Sequence, residues 1–177
     1  MKLIKTNFKG LNIYKKKYFK DSRGYFLELY KKKIINKNFP FTCISFSKKN
    51  VIRGLHLQTK NAQGKYISVL KGKVLDVVLD LRKNSKTFGK IFKIILSDKN
   101  CLSLYVPKGF AHAYYSYEKL NIVYYKLTNY YKPQYESGIN LLDKKIKIKW
   151  PKRNFKISKK DNELPSFEEF CKNYKFL

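Results

Sequence analysis

The sequence predicts an all-β fold, and two observations support this prediction. Short runs of β-branched and aromatic residues fill the middle of the chain, and Gly, Pro, Asn or Lys-Asn turns separate these runs. Helix signals are confined to the two ends of this block. The spacing of the runs is typical of a sandwich or a barrel, and 177 residues are enough to bury one core, so we expect a single domain over residues 1–177.

The predicted strands follow one another at short intervals. They cover residues 24–30, 41–46, 65–70, 74–81, 91–96, 102–106, 122–127 and 146–150. In strand 74–81 the side chains alternate between two faces, and Asp76 and Asp80 share their face with two valines. An acid on an apolar face must enter a polar cavity or accept hydrogen bonds, because burying it unpaired is costly.

Two helix signals flank the strands. A weak one covers residues 31–35 and a stronger one covers residues 167–174. Ser166 precedes the stronger helix and Glu169 follows three residues later, which is the spacing of a capping box. We therefore expect short flanking helices, one of them at the C-terminus.

The formal net charge of +28 raises the alternative of a basic, non-catalytic nucleic-acid-binding module. Two details oppose it. Only four of the 40 basic residues are Arg, the residue that makes bidentate contacts with phosphate and guanine. The lysines are also spread along the whole chain rather than clustered. We interpret the charge as a solvated surface and expect no nucleic-acid partner.

The distribution of apolar residues predicts a cytoplasmic protein without a membrane partner. The chain has no apolar run of about eighteen residues, the length of a membrane-spanning helix. Its N-terminus carries lysines and no apolar segment typical of a secretory signal. Cys43, Cys101 and Cys171 lie far apart, without metal or redox spacing, and we expect them to be reduced.

The chain has only two histidines, which is too few for the imidazole clusters of most small-barrel metal sites. We therefore expect no metal and no cofactor. Strand alternation places Gly54, His56 and Gln58 on one face of segment 51–58, and the missing side chain of Gly54 leaves room for a ligand beside the imidazole. A hydrogen-bonded core histidine is the alternative interpretation of His56.

The remaining candidates give weaker signals. His112 ends the turn-rich segment 107–112, from which a loop residue can project into a barrel mouth. Lys65 and Tyr125 lie within predicted strands and are individually typical of packing side chains, and Asp161 is typical of a solvated turn. Composition and spacing alone assemble no catalytic site.

Eight segments, taken in order, resemble the dTDP-4-dehydrorhamnose 3,5-epimerase family, whose members are cupin-type jelly rolls. The resemblance extends from about residue 19 to residue 165. The segments are DSRGYFLE (21–28), NVIRGLHLQ (50–58), QGK (63–65), GKVLDVVLDLR (72–82), PKGFAH (107–112), YKLTNYY (125–131), WP (150–151) and KD (160–161). The resemblance implies a cupin-type jelly-roll β-barrel.

The resemblance also implies a set of catalytic residues. A ketone at sugar carbon four acidifies the protons on carbons three and five, so inversion needs a base, an enolate stabiliser and an acid on the opposite face. The family pattern makes His56 the base and Asp161 its partner. It places Lys65 near the enolate and makes Tyr125 the acid.

A second set of residues is implied to bind the nucleotide sugar, with Tyr131 stacking on the base. The others are Arg23, Glu28, Arg53, His112, Glu136 and Lys160. Asp76 is expected to orient His112 and to line the cavity of the barrel together with His56, Lys65 and Tyr125. Glu28, Glu136 and Lys160 are also consistent with ordinary surface charges.

The implied function is inversion of carbon three, carbon five or both in a nucleotide-linked 4-keto-6-deoxysugar, with dTDP as the expected nucleotide, in deoxysugar and surface polysaccharide biosynthesis, by a homodimer. Residues 43–45 depart from the family, which has a more polar stretch containing Gln and Asn there. This departure bears on the nucleotide and the sugar more than on the chemistry. The alternatives are a one-carbon epimerase or a ketoisomerase acting on another dTDP- or GDP-sugar.

Overall fold

A computed structural model describes residues 1–152 and 154–174. The strands are β1 (Lys2–Lys5), β2 (Asn12–Lys15), β3 (Tyr18–Asp21), β4 (Gly24–Leu27), β5 (Phe41–Ser47), β6 (Ile52–Gln58), β7 (Lys65–Lys71), β8 (Lys73–Asp80), β9 (Ile91–Ser97), β10 (Leu102–Val106), β11 (Phe110–Ser116), β12 (Asn121–Leu127) and β13 (Glu136–Gly138). The α-helices are α1 (Lys32–Ile35), α2 (Lys159–Asn162) and α3 (Phe167–Asn173).

Two antiparallel sheets form the body of the molecule. One has the order β1-β2-β10-β7-β12-β5, and the other has the order β13-β6-β11-β8-β9. The main core lies between them, where Ile67 and Leu104 of the first sheet meet Val78 and Phe110 of the second. The hairpin β3–β4 stands apart from both sheets. This architecture confirms the predicted all-β jelly roll.

Most predicted strands are confirmed to within a few residues, but the strand predicted at residues 146–150 is wrong. The Asp143 side chain accepts hydrogen bonds from the backbone N–H groups of Lys145 and Ile146, which makes a turn. Lys147 then adopts a left-handed φ of 50°, which interrupts extended backbone. Ile146 and Trp150 pack against a second core cluster from this irregular segment.

The C-terminal helix is confirmed together with its capping box. The Ser166 hydroxyl accepts a hydrogen bond from the N–H of Glu169, and the Glu169 carboxylate accepts one from the N–H of Ser166. Phe167 and Phe170 of this helix are buried in the second cluster, against the outer face of the five-stranded sheet. No helix of the described residues is long and apolar enough to cross a membrane.

Candidate active site

A cavity of about 600 Å³ lies between the two sheets, a volume typical of small-molecule sites. Strands β5, β7 and β12 form one wall, and β6 and β11 form the other. Eight of the predicted site residues line it: Arg53, His56, Lys65, His112, Tyr125, Tyr131, Glu136 and Asp161.

His56 and Asp161 form the central pair of the cavity. His56 projects from β6, and its Nε2 lies 2.8 Å from Oδ1 of Asp161 on the short helix α2. Burial tends to raise the pKa of the Asp161 carboxyl, but the hydrogen bond and charge of His56 outweigh it and hold that pKa below its usual value. The pair therefore joins an ionised carboxylate to a partly exposed imidazole.

Gly54 has a different role from the one expected. A Cβ on Gly54 would lie 2.4 Å from Cβ of Ala113, so its missing side chain permits close approach of β6 and β11 rather than of a ligand. The Gly54 N–H donates a hydrogen bond to Oδ2 of Asp161 at 3.1 Å. Gly54 thus fixes the second oxygen of the carboxylate that holds His56.

His112 lies beside His56 on the neighbouring strand β11, where the two residues are register partners. Its Nε2 is 2.8 Å from Oδ2 of Asp76, which is fully buried. The predicted contact between Asp76 and His112 therefore exists in the structure. Asp76 itself lies behind His112 rather than in the cavity wall.

Lys65 enters the cavity from the facing sheet. Its Nζ donates a hydrogen bond to the carbonyl oxygen of His56 at 3.3 Å. Burial lowers the pKa of the Lys65 ammonium to about 8, against the charges of Glu136, Asp76 and Cys43, which raise it. A cation thus lies next to the backbone of the candidate base.

Tyr125 faces the histidines from strand β12 of the six-stranded sheet. Its ring centroid lies 6.2 Å from that of His112, edge to face. Burial raises the pKa of the Tyr125 phenol well above its usual value, and Tyr114 and Asp76 raise it further, whereas a hydrogen bond with Ser45 lowers it. Tyr125 is therefore held in its protonated form.

Tyr131, Glu136 and Lys160 meet at the rim of the cavity. The Tyr131 hydroxyl donates a hydrogen bond to Oε2 of Glu136 at 2.6 Å, and the Lys160 ammonium contacts the same oxygen. Lys160 does not line the cavity but is bound to a residue that does.

Two predicted substrate-binding residues lie away from this cavity. Arg23 is in the turn of the β3–β4 hairpin, paired with Asp21 at 2.7 Å. Glu28 follows the hairpin and pairs with Lys31 at 2.5 Å. The cavity of the same chain is lined by neither residue.

Sequence reasoning missed Tyr114, a polar residue of the cavity wall. Tyr114 lines the cavity two residues after His112 on β11, so strand alternation places both on the same face. That periodicity was the available signal. Its hydroxyl oxygen lies 2.8 Å from that of Ser45, which belongs to segment 43–45, the stretch that departs from the family pattern.

The arrangement opposes an imidazole–carboxylate pair, His56 on β6 with Asp161 on α2, to a protonated phenol on the other sheet, and the Lys65 ammonium lies beside the backbone of His56. Such a cavity can remove a proton from carbon on one side and supply one on the other. Residues 1–152 and 154–174 contain no group of three or more His, Cys, Asp or Glu side chains that could hold a metal ion. The fold and the cavity together define a class of protein, namely jelly-roll enzymes that work by general acid–base catalysis.

Comparison with known proteins identifies the family within this class. The sequence profile of the family described as dTDP-4-dehydrorhamnose 3,5-epimerase matches residues 5–169. A curated protein of that name from Methanothermobacter thermautotrophicus is 40% identical over 155 residues, covering 85% of this chain and 84% of the relative. The chain belongs to the dTDP-4-dehydrorhamnose 3,5-epimerase family, and it is an enzyme of the isomerase class.

Solved structures agree with this assignment. The crystal structure of the dTDP-4-dehydrorhamnose 3,5-epimerase of Bacillus anthracis with TDP and PPi bound aligns with a TM-score of 0.91 at 39% identity, covering 94% of this chain and 99% of that chain. The dTDP-6-deoxy-D-glucose-3,5-epimerase of Legionella pneumophila in complex with dTDP-4-keto-L-rhamnose aligns with a TM-score of 0.90 at 36% identity, covering 94% and 93%.

Proposed function

We propose that this chain inverts carbons three and five of dTDP-4-keto-6-deoxyglucose to give dTDP-4-dehydrorhamnose. The observation that carries the proposal is the position of the His56–Asp161 pair and Tyr125 on opposite walls of one cavity. Inversion requires that a proton leave one face of a carbon and another arrive on the opposite face, so the two groups must come from opposite walls. The enzyme works in deoxysugar and surface polysaccharide biosynthesis, in the cytoplasm, as a single domain over residues 1–177.

In this proposal His56 is the base, and the Asp161 carboxylate stabilises the imidazolium that forms when His56 takes a carbon-bound proton. Negative charge then develops on the oxygen of the ketone. The Lys65 ammonium stabilises that charge, which is worth more in a cavity shielded from water than at the surface. Tyr125 delivers its proton to the other face of the carbon.

The nucleotide and its pyrophosphate need cations and an aromatic surface. The guanidinium of Arg53 uses Nε on the Ser47 hydroxyl and one Nη2 proton on the Phe46 carbonyl oxygen, both at 3.0 Å. Its remaining donors are available for phosphate oxygens. Tyr131, 45% exposed at the rim, presents its ring to the base. The protein of Bacillus anthracis with TDP and PPi bound supports this class of ligand.

We further propose a homodimer in which Arg23 and Glu28 approach the cavity of the second copy. Aromatic side chains of the β3–β4 hairpin are more than half exposed, including Phe19 at 54% and Phe26 at 69%. Strand β5 ends its sheet and also exposes Ile44 and Phe46. An edge strand and an aromatic hairpin that are exposed in one chain are covered when a second copy pairs with them.

Proton NMR in deuterium oxide with dTDP-4-keto-6-deoxyglucose tests this function. Deuterium should enter at carbons three and five as the product forms. A one-carbon epimerase would label a single carbon, and a ketoisomerase would move the ketone along the ring. No label at either carbon would eliminate the proposed reaction.

The basic-module alternative makes a different prediction, tight and steeply salt-dependent binding to DNA or RNA. The net charge of +28 motivates that alternative. Binding that is weak and disappears near physiological salt would leave the charge as a solvated surface.

A further inference from the structure

Gln58 lies at the end of β6, two residues after His56, and strand alternation turns both side chains toward the cavity. Gln58 is 3% exposed and lines the cavity wall, but it has no part in the proposed proton transfer. A buried amide must find hydrogen-bond partners, because leaving it unpaired is costly. The partners of this amide therefore indicate its role.

The amide of Gln58 holds the main chain on both sides of Tyr131. Its Nε2 donates hydrogen bonds to the carbonyl oxygens of Asn61 at 3.0 Å and Tyr130 at 3.3 Å. Its Oε1 accepts a hydrogen bond from the backbone N–H of Lys132 at 2.5 Å. The residue before Tyr131 and the residue after it are thus bound to one side chain.

The orientation of this amide is fixed by its partners. A carbonyl oxygen can only accept and a backbone N–H can only donate a hydrogen bond. Exchanging Nε2 with Oε1 would therefore bring an oxygen against two carbonyl oxygens and an NH₂ group against an N–H. Both amide protons of Gln58 are engaged by the main chain, so the side chain holds the loop at residues 130–132 rather than a ligand.

Tyr131 is held a second time, through its hydroxyl. That hydroxyl donates to Oε2 of Glu136 at 2.6 Å, and Glu136 is the register partner of Gln58 where β13 pairs with β6. One residue further along the chain, the Thr59 N–H donates to the carbonyl oxygen of Tyr135 at 2.9 Å. The backbone beside Tyr131 and the tip of its ring are therefore both fixed by the β6–β13 pair.

We propose that Gln58 is a positioning residue that presents the ring of Tyr131 to the nucleobase of the substrate. This inference rests on the proposed function, in which Tyr131 stacks on that nucleobase. The ring is 45% exposed at the rim, and a loop that is already ordered does not have to be ordered when the ligand binds, which favours affinity. Because His56 is on the same strand, β6 then sets the distance between the proton-abstracting imidazole and the ring that holds the nucleotide.

Gln58→Met and Gln58→Glu test the inference, because both keep the length of the side chain and neither can donate to the carbonyl oxygens of residues 61 and 130. Affinity for dTDP, measured by calorimetry, should fall roughly tenfold, within the range for loss of a base–aromatic stack. KM for the keto sugar should rise to a similar extent while kcat stays unchanged. Inorganic pyrophosphate has no nucleobase, so its affinity should be the same in wild type and in Gln58→Met.

Gln134→Glu is the control for the charge that Gln58→Glu adds. Gln134 lies on the same loop, in the short turn Pro133–Tyr135, and is exposed. The variant adds a negative charge to this loop and leaves the Gln58 amide in place, so its affinity for dTDP should stay close to that of wild type. The two variants at position 58 keep the test available when one of them does not fold.

A double variant with Tyr131→Ala shows whether Gln58 acts through the ring. Once the ring is gone, Gln58→Met should cause no further loss of dTDP affinity. Losses that add in the double variant, or an equal loss of pyrophosphate affinity in Gln58→Met, would overturn the inference. Wild-type dTDP affinity in both Gln58 variants, together with a loss in Tyr131→Ala, would overturn it and leave the proposed stacking intact.

These binding measurements separate the inference from the proposed reaction, because dTDP binds without turnover. If wild type binds dTDP but inverts no keto sugar, the proposed reaction fails, and a selective loss of dTDP affinity in Gln58→Met still supports the positioning role. If Tyr131→Ala binds dTDP as tightly as wild type, the ring does not hold the nucleotide, and the inference is overturned together with the stacking.

Discussion

His56 and Tyr125 project from opposite sheets, so variants at the two positions should fail differently. His56→Ala removes the base, and both exchange and inversion should fall by roughly a hundredfold or more. Tyr125→Phe keeps the ring but removes the acid, so exchange should persist by return of a proton from the original face while inversion falls. Deuterium incorporation and product formation, measured on the same samples, separate these outcomes.

Asp161→Asn should lie between the two variants. The imidazole remains, but its partner no longer carries the charge that stabilises the imidazolium. Wild-type inversion in Tyr125→Phe, or normal exchange in His56→Ala, would show that the base and the acid are assigned wrongly.

Lys65 should make the reaction sensitive to alkaline pH. Its pKa is lowered to about 8 by burial, so the fraction of free enzyme that carries the ammonium falls as the pH rises through that value. If the ammonium stabilises the enolate, kcat/KM should decline above about pH 8. Lys65→Arg keeps the charge at every accessible pH and should lose this decline. A wild-type profile that stays flat to pH 9.5 would contradict the role of Lys65.

At the scale of elements, local patterns predicted most of the central strands and missed several others, among them β11 and β1. Strand β8 was predicted almost to its ends. The acid on its apolar face, Asp76, is hydrogen-bonded, which is one of the two outcomes that the pattern allowed, and its partner is His112, as the resemblance implied. Strand β11 is buried along its whole length, so no alternation marks it. Strand β1 was missed because all four of its residues are exposed, two of them lysines, so it has no buried face that a pattern could mark.

Local sequence patterns could not predict which residues come together in the site. His56 and Asp161 are separated by 105 residues in sequence, and no periodicity links a β-strand to a distant turn of helix. Only the resemblance to a family paired them before the structure did.

Gly54 links two elements, and Gly54→Ala should destabilise the protein by about 2–4 kcal/mol. Its φ of +125° is strained for alanine, and the added Cβ would lie 2.5 Å from the carbonyl oxygen of His112. Gly24→Ala is a control for the backbone alone, because Gly24 has a φ of +136° and nothing within 4 Å of the added Cβ. Thermal denaturation of both variants measures the difference. Equal losses in Tm would mean that the close approach of β6 and β11 contributes nothing.

At the scale of the whole molecule, the reaction should be independent of metal ions. The chain has two histidines, and each is bound to a carboxylate, through Asp161 and Asp76. Proton transfer by His56 and Tyr125 needs no Lewis acid in the proposed mechanism. Activity should survive prolonged treatment with a chelator. Activity that is lost in the chelator and restored by a divalent ion would overturn this expectation.

The exposed aromatic hairpin β3–β4 and the edge strand β5 form a surface that a second copy of the chain can cover. We expect a dimer in light scattering at micromolar concentration, and Phe26→Asp, which places a charge on the hairpin, should shift it toward monomer. Leu142→Asp is the control, since Leu142 is 57% exposed but belongs neither to the hairpin nor to β5. If Arg23 completes the site of the second copy, the monomeric variant should also show a raised KM for the nucleotide sugar. A wild-type protein that is a monodisperse monomer with full activity would contradict both the dimer and the shared site.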